Sequence, residues 1–462
     1  MRGKDMRRLL SAVLVGVLLL GTVTSLAAAD ATPFSTSADR VVSRLIDPNG
    51  PGVSIVVSKD GKVVYRSSRG MASVELRVPS ANGDAYRIGS ITKTATAATI
   101  LLLSRQGKLS LSDRLSKFLS DFPHASDITI AELLNHTAGI SDNWNADPNL
   151  ALNTKTLVDL IAKQPLDFTP GSEWRYSNSG YMLLGAVIEK ITGRRWDEVE
   201  RELVFAPLGM NRTAYYPDDA VVSGLVQGYS VDDRDQLAKP PFVSISGPMS
   251  AGALTSTADD LDRLIEGLAT DRVFPLSLFD TMTIPARLSD GSSAPYGYGV
   301  MLDHVRGVPA FAHNGGIEGF ASQYLYLPRQ KVTVVVLANS DSRNPNPRAI
   351  ARQLAALAIG DPYRHFEDAT LDPRALNALV GSYEIQGDSR HAISLDSGRL
   401  YIQRASGPKQ QLMPAQGDIL YYAHDGTDYF HVVKSKDGRV IALDFYPDGL
   451  SAARHEQRLA TP

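Results

Sequence analysis

Two apolar strand pairs stand at opposite ends of a long stretch of helical pattern, so the chain must bring distant segments together to build one sheet. Residues 53–57 and 63–65 flank the turn Lys59-Asp60-Gly61-Lys62 and read as a hairpin. Residues 322–327 and 332–337 form the second pair, expected to join the first antiparallel. Helical segments lie between, one of them opening at the capping box Thr129-Ile130-Ala131-Glu132. A last helix is expected from Pro347, suited to a first helical position, to a stop at Gly360. The order implies an α+β arrangement: an antiparallel sheet flanked by helices, a helical lobe, and a cleft between them.

The flanks differ from this body. Arg2, Lys4, Arg7 and Arg8 precede an apolar run from Leu9 to about Val23, and Ala27-Ala28-Ala29 forms a cleavage site. Residues 1–29 therefore read as a signal peptide whose removal leaves Asp30 first and no stable membrane span. A periplasmic or secreted location is expected. The main domain covers 30–360, and a polar, proline-bearing linker covers 361–372. From 373 to 462 the pattern turns all-β, with five short strands at 381–385, 392–395, 399–402, 429–433 and 440–445. Asp396-Ser397-Gly398 and Lys436-Asp437-Gly438-Arg439 supply two of the turns.

Three motifs within the main domain carry chemistry: Ser90-Ile91-Thr92-Lys93, Tyr176-Ser177-Asn178 and His313-Asn314-Gly315-Gly316. The first runs into an Ala/Thr/Leu-rich helix, which puts Ser90 at the helix start and Lys93 one turn later on the same face. A serine hydroxyl needs a base to become a nucleophile, and a lysine serves only if burial or nearby positive charge disfavours its protonated form. A helix N-terminus supplies such a field and stabilises negative charge developing on the serine oxygen. The phenol of Tyr176 offers a second proton carrier, and Asn178 an amide to orient a substrate carbonyl. A second Ser-x-x-Lys, Ser406-Gly407-Pro408-Lys409, cannot form the helical turn this chemistry needs.

In their joint order these motifs resemble the serine β-lactamase-related, penicillin-recognising hydrolases, in the branch with class C β-lactamases, D-Ala-D-Ala carboxypeptidases, D-aminopeptidases and esterases. Residues 133–140, 170–175, 207–210 and 251–256 are similar to that family too, and the resemblance spans roughly 40 to 358. It implies a β-lactamase/transpeptidase-like fold with Ser90 acylated, Lys93 its base partner and Tyr176 the general acid and base. It implies further that Asn178 holds the acyl-side amide and that Gly315 lets a substrate backbone lie flat on its strand. The N–H groups of Ser90 and Gly316 would form the oxyanion hole. His313 stands where many relatives carry lysine, so a mostly neutral imidazole is expected along the edge that meets a substrate carboxylate. That departure favours D-residue peptides, amides and small esters over β-lactams. A β-lactamase, or a silent penicillin-binding scaffold, is the alternative. The all-β module resembles the lipocalin-like barrel appended to some peptidases of the family, where it would act as a lid, a size filter, an oligomer contact or a passive appendage.

Other mechanisms lack their parts. There is no Gly-x-Ser-x-Gly elbow and no His-Glu-x-x-His, and zero cysteines remove thiolate catalysis, thiolate zinc sites and disulfides. His124, His304, His365, His391, His424, His431 and His455 sit in no ligand spacing, and His136 reads as structural, bonding a loop near the site. No cofactor and no metal is expected. A net charge of -3 gives no reason to expect nucleic acid, so the expected partner is a small peptide, amide or ester substrate.

Overall fold

The computed structural model describes residues 33–459 apart from 233, 235, 343, 386–388 and 424. The expected leader 1–29 and His424 lie outside the described residues. The principal elements of the main body are α1 (Pro33–Leu45), β1 (Val53–Lys59), β2 (Lys62–Arg69), α2 (Thr92–Arg105), α3 (Asn178–Thr192) and α4 (Ala258–Ala269). They are followed by β3 (Met301–Val305), β4 (Val308–Ile317), β5 (Phe320–Leu327), β6 (Val332–Ala338) and α5 (Pro347–Ala358).

The two distant strand pairs meet as the sequence requires. The sheet runs β3-β4-β5-β6-β1-β2, with β1 antiparallel to β6 in the register Val53↔Ala338 to Lys59↔Val332. Asp60 and Gly61 turn the first hairpin with φ of 52° and 71°, the pair of positive values that lets a two-residue turn follow the strand twist. Strand β6 is buried at every position because helices cover both faces. Val334 and Val336 face one core with Ile55, α1 and α5, while Val335 and Leu337 face the other with Val56 and α2. Two-sided cover explains why β6 reads as a nearly continuous apolar run, broken at Thr333, rather than an alternation.

The capping box forms, with Thr129 Oγ1 accepting from Glu132 N and Glu132 Oε2 accepting from Thr129 N at 2.7 Å. Pro347 opens α5, and the helix ends at Ala358, two residues before Gly360.

The C-terminal strands close into an eight-stranded antiparallel barrel: β7 (Gly381–Ile385), β8 (Ser389–Asp396), β9 (Arg399–Arg404), β10 (Gln410–Ala415), β11 (Ile419–Tyr422), β12 (Tyr429–Lys434), β13 (Val440–Tyr446) and β14 (Arg454–Arg458). Three of these, β10, β11 and β14, go beyond the five expected strands. Tyr383, Ile402, Leu412, Phe430 and Leu443 fill the interior, as side chains do in a barrel of this size. The barrel grips the main body through Asp448. Its Oδ1 accepts from Arg352 Nη2 at 2.7 Å, its Oδ2 from Gly307 N at 3.1 Å, and its backbone carbonyl from Arg306 Nη1 at 2.9 Å. Arg306 and Gly307 turn the β3–β4 hairpin, so the barrel braces the far end of the strand that carries His313 to Gly316.

Candidate active site

Helix α2 is buried over nearly its whole length, so its threonines must find partners inside the protein. Thr92 Oγ1 donates to Gly89 O at 2.8 Å, Thr94 Oγ1 to Gly299 O at 2.8 Å and Thr99 Oγ1 to Ala95 O at 3.0 Å. Ser90 lies just before the helix, inside a 3-10 turn over Gly89–Ile91. Its N–H is therefore among those at a helix start that have no intrahelical acceptor.

Lys93, one turn on, is wholly buried. Its Nζ lies 2.7 Å from Ala251 O, 2.8 Å from Asn178 Oδ1 and 3.1 Å from Ser90 Oγ. Burial lowers its pKa from 10.5 to about 7, against the opposing charge of Asp142. The geometry fits the neutral amine. Two N–H groups are taken by the oxygens of Ala251 and Asn178, which can only accept, and the remaining lone pair then faces the Ser90 hydroxyl. Nζ also sits 4.8 Å from the centre of the Tyr176 ring. Burial raises the Tyr176 phenol above its ordinary range in spite of a hydrogen bond with Ser90, so at neutral pH it stays protonated.

The third motif reaches this point from the sheet. Strand β3 covers β4 only as far as Met301↔Ala312, which leaves the β4 edge from His313 onward without a strand neighbour on that side. The two-residue turn at 318–319 closes on Ile317↔Phe320, making Gly316↔Ala321 a non-hydrogen-bonded pair. The Gly316 N–H therefore points away from β5, toward the open edge. A Cβ added at Gly89, where φ is +51°, would lie 2.8 Å from Gly316 N, so the two glycines pass in close contact beside Ser90.

Two expectations about this motif are corrected. His313 does not line the substrate edge. It is fully buried, its Nδ1 2.7 Å from Asn314 O and its Nε2 2.8 Å from the Tyr296 hydroxyl. A carbonyl only accepts, so Nδ1 carries the proton and Nε2 accepts from Tyr296. Burial, with the Lys93 charge nearby, lowers the pKa of His313 from 6.5 to about 3. Gly315, likewise, is required by packing and not by a substrate's path: a Cβ there would come within 1.9 Å of Ile88 O and 2.3 Å of Ser322 Oγ.

His136 is structural, as expected. Its Nδ1 accepts from Ser177 N at 3.1 Å, its ring centre lies 4.4 Å from that of Tyr176, and no described group partners its Nε2. The sequence reading missed Asp142. Its Oδ1 accepts from Ser179 N at 2.8 Å and Ser179 Oγ at 2.6 Å, and its Oδ2 accepts from Asn178 N at 2.8 Å. A carboxylate at the start of α3 stabilises that end and fixes the amide that holds Lys93. Its only sequence signal was a lone Asp after the family-like segment 133–140. Trp144 was missed as well. Its Nε1 donates to Ser179 Oγ at 2.9 Å, which pins the indole beside the site.

A cleft of about 440 Å³ opens over Ser90, Tyr176, Asn178 and Gly316, walled by Trp144, Leu150, Leu152, Met182, Val243 and Pro248. No described barrel residue lines it, so the expectation of a lid or size filter finds no support here.

Set beside known proteins, residues 38–359 match the family described as Beta-lactamase. Penicillin-binding protein 4* of Bacillus subtilis (strain 168) is 26% identical over 389 residues, covering 78% of this chain and 86% of its own length. D-aminopeptidase of Gluconobacter oxydans (strain 621H) is 29% identical over 344 residues, 72% of this chain, and the match spans only 63% of that relative. Among solved structures, the octameric penicillin-binding protein homologue from Pyrococcus abyssi has a TM-score of 0.63 at 25% identity, covering 93% of this chain and 100% of that one. D-amino acid amidase from Ochrobactrum anthropi SV3, complexed with L-phenylalanine, shares the fold with a TM-score of 0.61 at 23% identity, over 71% of this chain and 98% of that one.

Proposed function

This chain belongs to the β-lactamase family of serine hydrolases, and on that premise we propose that it cleaves amide or ester bonds of D-residue compounds through an acyl-enzyme on Ser90. The observation that carries the reading is the buried Lys93 amine, 3.1 Å from Ser90 Oγ with its other two positions occupied by acceptors. In acylation the Ser90 hydroxyl gives its proton to Lys93 Nζ while Oγ bonds to the substrate carbonyl carbon. The N–H groups of Ser90 and Gly316 receive the oxyanion. The Tyr176 phenol gives its proton to the departing nitrogen or oxygen and regains one from the Lys93 ammonium, and water then reverses these steps to free the acid. The preference for D-residues draws on the relatives named as D-aminopeptidase and D-amino acid amidase.

Cephalosporin turnover is expected to be weak, because among the described residues no Lys, Arg or His lines the cleft to hold a β-lactam carboxylate. A silent binding scaffold is disfavoured, since binding alone would not call for a lysine kept buried at the expense of its charge. Residues 1–29 would direct export and leave Asp30 as the new N-terminus, which N-terminal sequencing of the secreted protein tests. Among the described residues no helix is long and apolar enough to cross a membrane.

Fluorophosphonate labelling with peptide mapping should place the adduct on Ser90. Turnover of a D-alanyl amide, its L-isomer, a short-chain ester and a cephalosporin should rank the cephalosporin last. Labelling that survives Ser90→Ala would remove the assignment.

A further inference from the structure

Resting on the acyl-enzyme reading above, we infer that the cleft selects substrates whose acyl half carries a free ammonium group beside a large apolar side chain, with Glu318 as the residue that recognises the ammonium. The charge lining the cleft is one-sided, the buried Lys93 amine beneath Ser90 apart. Among the described residues, those lining the cleft include Asp142, Asp147 and Glu318 and not one Lys, Arg or His. His313, the residue that could have supplied a cation on this strand, is buried behind it on Tyr296.

The three carboxylates are not equivalent. Both oxygens of Asp142 are engaged by the start of α3. Asp147 Oδ1 accepts from Asn149 N and Nδ2 at 2.9 and 3.0 Å, out on an exposed turn. Glu318 is half-buried at the tip of the β4–β5 hairpin, two residues beyond Gly316, and has neither an ion pair nor a hydrogen bond among the described residues. Arg87 and Lys239 stand in the adjoining hollow that Glu318 also borders, and neither pairs with it. An unpaired carboxylate on the rim of a cation-free cleft attracts an ammonium and repels a carboxylate. The cleft lining also offers Trp144, hydrogen-bonded to Ser179, with Leu150, Leu152 and Met182, a surface suited to an aromatic or branched side chain. A reaction that supplies this substrate must therefore leave the amino group uncapped.

The test compares D-phenylalanine p-nitroanilide with its N-acetyl and N-succinyl forms on the full chain, alongside fluorophosphonate labelling of Ser90. The free amine should exceed the N-acetyl form in kcat/KM by about ten-fold or more, the worth of a charged hydrogen bond at a partly solvated site. The N-succinyl form should be poorer still. In Glu318→Gln the amine preference should fall at least several-fold, chiefly through KM. Glu318→Lys should favour the succinyl form, and Trp144→Ala should narrow the gap between phenylalanyl and alanyl substrates. The wild-type preference should also weaken as salt is raised. Equal turnover of amine and N-acetyl substrates by an enzyme that labels at Ser90 overturns this inference alone, as does a preference unmoved by Glu318→Gln. Absence of both labelling and hydrolysis overturns the acyl-enzyme reading and the inference with it.

Discussion

Replacing Lys93 with methionine should destroy activity and yet stabilise the fold at neutral and acid pH. Lowering the Lys93 pKa from 10.5 to about 7 means that burial opposes its charged form. Where both folded and unfolded chains are protonated, well below pH 7, that opposition is worth roughly 5 kcal/mol against folding. Between about 7 and 10.5 the unfolded chain binds a proton that the folded chain has released, so wild-type stability climbs with pH across this window. Methionine has similar length and no charge, but it leaves Ala251 O and Asn178 Oδ1 without their donor, a loss of about 1 kcal/mol each. The variant should therefore be about 3 kcal/mol more stable than wild type at pH 6 and about 1 kcal/mol less stable at pH 10. Urea unfolding followed by tryptophan fluorescence is the assay, because Trp144, Trp174 and Trp196 all lie in the main body and none in the barrel. Acylation should fall by about a thousand-fold for want of the base. A stability difference that is the same at pH 6 and pH 10 would refute the argument, since a depressed Lys93 pKa requires the difference to depend on pH.

Further outcomes follow from the same geometry. The rate of fluorophosphonate labelling should rise with pH through about 7 and then stay level to about 10, because neutral Lys93 is the base and the Tyr176 phenol remains protonated; a falling limb between pH 7 and 9 would assign the base elsewhere. Lys93→Ala and Tyr176→Phe should each slow acylation, and the double variant should be little worse than the poorer single; multiplied losses in stopped-flow acylation would make the two independent. Gly316→Ala should keep activity within about three-fold, since open space surrounds that Cβ, while Gly316→Pro removes the N–H and should cost about a hundred-fold in kcat; equal rates for the two would exclude this N–H from the oxyanion hole. Asp448→Ala should lower the urea unfolding free energy by about 3 kcal/mol by leaving the largely buried Arg352 short of its closer carboxylate; a change below about 0.5 kcal/mol would show that the clasp on the barrel contributes nothing.

The sequence by itself determined whatever depends on local pattern or on a fixed short spacing. The two strand pairs, the capping box, the Asp60-Gly61 and Ser397-Gly398 turns and the placement of Ser90 a helical turn from Lys93 all follow from residues within a few positions of one another. Strand β14 was not legible, because Arg-His-Glu-Gln-Arg carries no apolar residue and only Glu456 of its five is buried. Strand β10 was not legible either, its Gln-Gln start and internal proline arguing against a strand. Closing the barrel supplies those segments with partners that their own composition does not advertise.

Tertiary structure alone decided the electrostatics of the site. Asp142 reaches the start of α3 across 36 residues of sequence, and Ala251 O reaches Lys93 across 158, distances over which no local pattern carries information. The motif His313-Asn314-Gly315 is the clearest case. Its spacing suggested a side chain presented to substrate, but strands β4 and β5 turn that imidazole onto Tyr296 and press Gly315 against Ile88 O. Which face of a strand meets the cleft is set by register with its neighbours, and register is a property of the assembled sheet.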